Sequence, residues 1–141
     1  MPHAPQTLAA LAVIVLATGC SRPAPPQQAQ TAAPAAVPWA VMVLYNQPKD
    51  AAAFEKYYAE KHVPLFVSHA QEIGVTRVEL IKFASTADGK APTLYREADL
   101  RFASKEALDK GTATPGFKEV AADLANFATG GVTVLIGQKS N

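Results

Sequence analysis

The chain of 141 residues predicts an α+β domain over residues 39–139, with elements in the order strand, helix, strand, strand, helix, strand. Three observations carry that reading. Two stretches place apolar residues at helical spacing, four shorter runs around them carry strand patterning, and Asp88-Gly89 marks a turn between the two middle strands. A βαββαβ order with a central hairpin gives a ferredoxin-like sheet with both helices on one face.

The first strand is Ala40 to Tyr45, AVMVLY, a continuous apolar run of the kind found in a buried central strand. Asn46-Gln47-Pro48 breaks it, and Asp50 is the expected N-cap of the first helix. At 100° per residue, Phe54, Tyr57, Tyr58 and Leu65 share a face, and Lys61 falls inside that stripe, where its stem would have to snorkel. Pro64 removes an N–H and restricts Val63, which predicts a bend; the helix then resumes and ends at Gly74. Val75–Phe83 and Leu94–Phe102 form the hairpin. Ser104 caps a short helix, and Thr114-Pro115 opens another with Phe117, Val120, Ala121, Leu124 and Phe127 on one face. Val132–Ile136 is the last strand.

Alternation along the hairpin assigns its faces. Leu94, Ala98, Leu100, Phe102, Val78 and Leu80 suit the helix-covered side, interrupted by Arg96, while Arg77, Glu79, Tyr95, Glu97, Asp99 and Arg101 fall on the other. A charged centre between apolar outer strands predicts a second sheet packed over that face, around a polar cavity.

Charge and composition exclude several functions. From Trp39 onward 12 Lys and Arg balance 12 Asp and Glu, so the domain has no basic footprint for nucleic acid. The longest apolar run, Leu8–Thr18, spans 11 residues, which is too short to cross a bilayer and the right length for the core of a secretory signal. It ends at Gly19-Cys20, and Leu16-Ala17-Thr18-Gly19-Cys20 resembles the bacterial lipobox, although Ala17 stands where leucine is commonest and the leader has no Lys or Arg. The alternative is an ordinary signal cut near Ala33–Ala36. Cys20 is the single cysteine, which favours a lipoprotein-type signal over residues 1–20 lipidated at Cys20. It also leaves the domain without a disulfide, a thiolate nucleophile or a cysteine metal site. Residues 21–38, rich in Pro, Ala and Gln, read as a disordered linker. The expected location is the bacterial envelope, lipid-anchored, with the domain in the periplasm.

The run VMVLYNQPKDAAAFEKYYAEKHVPL and the ending ADLANFATGGVTVLIGQ resemble the EthD family, named for ethyl tert-butyl ether degradation, across residues 40–138. The resemblance implies a homodimeric α/β barrel, two ferredoxin-like sheets face to face. It carries over Tyr45-Asn46-Gln47-Pro48 and His62-Val63-Pro64-Leu65 as matching elements. It also carries the label reductase or oxidoreductase, for a reaction that the family leaves poorly defined.

His62 is the first catalytic candidate, because imidazole is the natural proton shuttle near neutral pH; the structural reading is a half-buried histidine at a helix bend. Tyr58 could donate a hydrogen bond to a carbonyl or phenolate, whereas Tyr57 suits helix–sheet packing. His69, among Leu65, Phe66 and Ile73, reads as structural. Glu97 and Asp99 form a carboxylate pair that could divide acid and base roles, with cross-strand ion pairing to Arg77 and Arg101 as the stronger alternative. Tyr45, Asn46, Tyr95, Asp99 and Arg77 are the expected cavity residues. No Gly-x-Gly-x-x-Gly follows a strand and no phosphate loop is present, so no cofactor is expected, and His62 and His69 lack metal-ligand spacing. Two classes of function follow. One is a cofactor-free isomerase or lyase moving protons on a small aromatic or carbonyl compound. The other is a non-catalytic envelope carrier of a hydrophobic metabolite. A haem-binding barrel with His62 as axial ligand is a third.

Overall fold

The computed structural model describes residues 37–140; the expected leader with Cys20 and the expected linker up to residue 36 lie outside them. Strands β1 (Trp39–Asn46), β2 (Arg77–Lys82), β3 (Leu94–Phe102) and β4 (Val132–Gln138) form one sheet in the order β2-β3-β1-β4, with every neighbouring pair antiparallel. Helices α1 (Ala51–Tyr57), α2 (Val63–Ile73), α3 (Lys105–Thr112) and α4 (Pro115–Asp123) pack on one face. The α+β, ferredoxin-like reading holds.

The local signals act as their chemistry requires. Asp50 accepts the Ala53 N–H at 3.0 Å, Ser104 the Ala107 N–H at 3.2 Å and Thr114 the Phe117 N–H at 3.1 Å, each capping a helix start. Gly74 ends α2 at φ 75°, a left-handed conformation that a Cβ would strain. Val41, Tyr45 and Phe102 from the sheet and Phe54, Ile73 and Leu108 from the helices are the largest fully buried side chains.

The structure departs from the sequence reading at two places, and both reposition side chains. Where a bend was expected at Pro64, Tyr58–His62 forms a π-turn, and the Val63 N–H donates to the Tyr58 carbonyl five residues back. A π-turn adds one residue to the helical circuit. His62 and Phe66 therefore take the inward positions that uniform α-helical spacing gives to Lys61 and Leu65. His62 is buried and Lys61 is exposed, so no snorkelling is needed.

The second departure is a bulge. Tyr45 pairs with Arg96 but Asn46 pairs with Leu94, which leaves Tyr95 as the extra residue of β3. Alternation slips there. Tyr95, assigned from sequence to the open face, turns to the helices, with its ring 5.2 Å from that of Phe54 and its hydroxyl donating to Glu55 at 2.7 Å.

Beyond the bulge the face assignments hold, but the charged strands β2 and β3 make up one half of the sheet, with β2 at the edge and apolar β1 inside, not a centre between apolar outer strands. On the open face Arg77 pairs with Glu79 at 2.6 Å, and Arg101 bridges Asp99 at 3.1 Å and Glu79. Edge strand β4 stays largely uncovered, leaving Val134, Leu135 and Ile136 about half exposed.

Candidate functional site

The cavity lies between the sheet and the helices, not on the open sheet face. It has a volume of about 110 Å³, several times the roughly 10–15 Å³ needed for one water. Val43, Ala98 and Leu100 form its floor, Val63 and Phe66 of α2 one wall, and Val120 with its α4 neighbours the other. Among the described residues the only polar side chains lining it are Tyr45, Tyr58 and His62, gathered together. The π-turn brings Tyr58 and His62 to one side, and Tyr45, near the C-terminal end of β1, meets them.

His62 is fixed from behind. Its Nδ1 lies 2.8 Å from Asp123 Oδ2, and its ring centroid is 4.7 Å from that of Phe127. Asp123, the last residue of α4, also accepts the Tyr57 hydroxyl at 2.8 Å and the Asn126 amide at 2.9 Å. Burial pushes the Asp123 carboxyl up, but hydrogen bonds from Asn126, His62 and Tyr57 outweigh it and hold its pKa below the ordinary value. An ionised carboxylate only accepts, so the neutral imidazole carries its proton on Nδ1. Nε2 is then a bare lone pair on the cavity side, 3.5 Å from the Tyr45 hydroxyl.

The two tyrosines remain hydroxyl donors. Burial raises the Tyr45 pKa far above its ordinary range, aided by the neighbouring Tyr58. Burial also raises that of Tyr58, against the opposing charge of Arg96. The Arg96 guanidinium sits 4.8 Å from the Tyr58 ring centroid and is bound by Glu55 at 2.6 and 3.2 Å. Hydrogen bonds from Arg96, Tyr95 and Lys82 bring the Glu55 pKa down to about 2 against its partial burial. This cluster closes the outer side of Tyr58 with its charges paired.

Of the residues expected from sequence, His62, Tyr58 and Tyr45 meet at the cavity. The others do not. Glu97, Asp99 and Arg77 lie on the opposite side of the sheet because strand alternation sends them there, and the ion pairs named above engage Asp99 and Arg77. Asn46 donates to the Gly130 carbonyl at 3.1 Å, stapling β1 to the turn before β4. Tyr95 is withdrawn by the bulge. Tyr57 packs as expected, stacked 5.3 Å from Phe127, and in addition holds Asp123. His69 sits between Glu72 at 3.1 Å and Glu119 at 3.2 Å, tying α2 to α4.

Asp123 was missed by the sequence reading. It borders the apolar stripe of α4, three residues after Val120, and a carboxylate at the edge of a buried stripe is the signal that could have found it. Among the described residues no group of His, Cys, Asp and Glu is arranged to hold a metal ion.

Residues 46–131 match the EthD domain family. The chain is 41% identical over 95 residues to an uncharacterized 11.0 kDa protein from the thcB-thcC intergenic region of Rhodococcus erythropolis, covering 67% of this chain and 88% of that one. An EthD family protein from Bacillus halodurans superposes with a TM-score of 0.64 at 24% identity, covering 73% of this chain and 99% of that one. A dimeric protein of unknown function with a ferredoxin-like fold from Bacteroides fragilis superposes with a TM-score of 0.54 at 9% identity, over 72% of this chain and 96% of that one. With the matched segment spanning most of the domain and running through both the π-turn and Asp123, the chain belongs to the EthD domain family.

Proposed function

We propose that the cavity binds a small, largely hydrophobic aromatic or carbonyl compound and that His62 moves a proton on it. One observation carries the reading: Nδ1 of a buried histidine is held by an ionised carboxylate while Nε2 faces an otherwise apolar cavity. Nε2 takes the proton as general base. The imidazolium that forms is stabilised by Asp123, and the Tyr45 and Tyr58 hydroxyls are placed to donate to the oxygen on which negative charge develops. The carrier reading would need only the apolar walls and leaves the Asp123–His62 pair without a role. The reductase label rests on the family resemblance alone.

The open sheet face supports homodimerisation as part of this reading. Leu135 and Ile81 are about half exposed there, and Asp99 is buried with Oδ1 lacking a partner, which a donor from a second sheet would satisfy. Export and lipid anchoring at Cys20 remain part of the proposal on the strength of the leader sequence. A native mass spectrum of the full-length product, purified in mild detergent and loaded with 2-tetralone, tests these points together. The expected spectrum is a dimer with one ketone per chain and a lipidated N-terminus at Cys20. A monomer would overturn the dimer, an unmodified leader the anchor, and an empty chain at saturating ketone the binding reading.

A further inference from the structure

We propose that the site takes its substrate only as an uncharged weak acid, a compact hydrocarbon body with a single oxygen head group, and excludes carboxylates, phosphates and ammonium compounds. This rests on the cavity reading above and adds to it the charge class of the substrate. Among the described residues the polar side chains of the lining are three, Tyr45, Tyr58 and His62, and they sit together. They match one oxygen, not two separate polar ends. Every other lining side chain is hydrocarbon, including Phe66 and Phe117 from opposing helices.

The charges around this lining are already committed. Asp123 stands behind His62 and is engaged by Nδ1, Tyr57 and Asn126. Arg96 lies against the Tyr58 ring and is held by both oxygens of Glu55, which Lys82 also meets at 3.0 Å. Among the described residues no charged side chain lines this space, so a ligand anion or cation would enter it losing its hydration uncompensated. A neutral acid avoids that loss. Its O–H or α-C–H bond breaks only inside the cavity, the proton passes to Nε2, and the electron pair stays on the substrate oxygen facing the tyrosine hydroxyls. Charge then appears as a contacting pair, substrate anion and imidazolium, next to Asp123.

Three probes of one shape test this with the full chain: 2-naphthol, naphthalene and 2-naphthoate, with dissociation constants read by fluorescence titration at pH 8. The expected order is 2-naphthol tightest, naphthalene weaker, and 2-naphthoate weaker than 2-naphthol by more than about 100-fold. Affinity for 2-naphthol falls roughly tenfold per pH unit once the pH exceeds the naphthol's own pKa. In His62→Ala the advantage of naphthol over naphthalene shrinks while naphthalene still binds, which shows the variant is folded. Naphthoate binding as tightly as naphthol would overturn the charge exclusion and leave the cavity reading in place. Failure of all three to bind would overturn the cavity reading itself.

Discussion

Asp123→Asn is expected to slow proton abstraction by about 100- to 10,000-fold, measured as exchange of the α-protons of 2-tetralone into D2O by NMR. The asparagine amide can donate to Nδ1, which moves the imidazole proton to Nε2 and removes the base from the cavity. Asp123 acts through His62, so kcat falls while KM stays within about threefold, the pattern of an interaction made in the transition state. A merely structural carboxylate would raise KM or lower stability without that split. The same substitution has a pH signature. The native carboxyl is held below its ordinary pKa, so its contribution to stability is fully present above the unfolded value near pH 4 and is lost as the pH falls through the depressed folded value. Asp123→Asn removes that part of the acid sensitivity, and a melting temperature whose pH profile matched wild type below pH 4 would contradict it.

Gly111→Ala is expected to cost about 3 kcal/mol of folding stability, read by urea denaturation. Gly111 is buried in α3, and a Cβ there would run into the Ile73 carbonyl at the end of α2 and come within 2.8 Å of Phe102 Cε1. The obstacle on one side is backbone and on the other a fully buried ring, so neither can swing away. A midpoint unchanged from wild type would show that α3 docks differently from this description.

The architecture was legible because each element announces itself chemically. Asp50, Ser104 and Thr114-Pro115 mark helix starts, Gly74 marks a stop, and strand alternation correctly sent Arg77, Glu79, Asp99 and Arg101 to the open face. His62 and Tyr58 were legible as candidates because they are polar groups in or beside an apolar helix stripe, and Tyr45 through the Tyr-Asn-Gln-Pro element of the family resemblance. The side of the sheet on which they meet was not legible. A charged sheet face looks like a polar site in one dimension, whereas Arg101 in fact engages Asp99 and Glu79, and the cavity that gathers His62, Tyr58 and Tyr45 is the apolar one behind it. Two one-residue insertions hid the rest. The π-turn exchanges Lys61 for His62 as the inward residue, and the β3 bulge carries Tyr95 across the sheet. Both arise where tertiary packing outweighs local periodicity, so a fixed angle of 100° or 180° per residue misplaces the side chains that follow. Asp123 was invisible for a related reason: its partner lies 61 positions away, and only the packing of α4 beside the π-turn brings them together.

The central claim is that His62 moves a proton inside this cavity, and one comparison tests it most directly: 2-tetralone α-proton exchange in D2O by wild type, by His62→Ala and by free imidazole at equal concentration. Wild type is expected to exceed imidazole by roughly 100-fold or more, as a positioned base in a water-poor site does, with His62→Ala falling to the buffer rate while still binding the ketone. Exchange by wild type no faster than by imidazole, or undiminished in His62→Ala, would contradict the account.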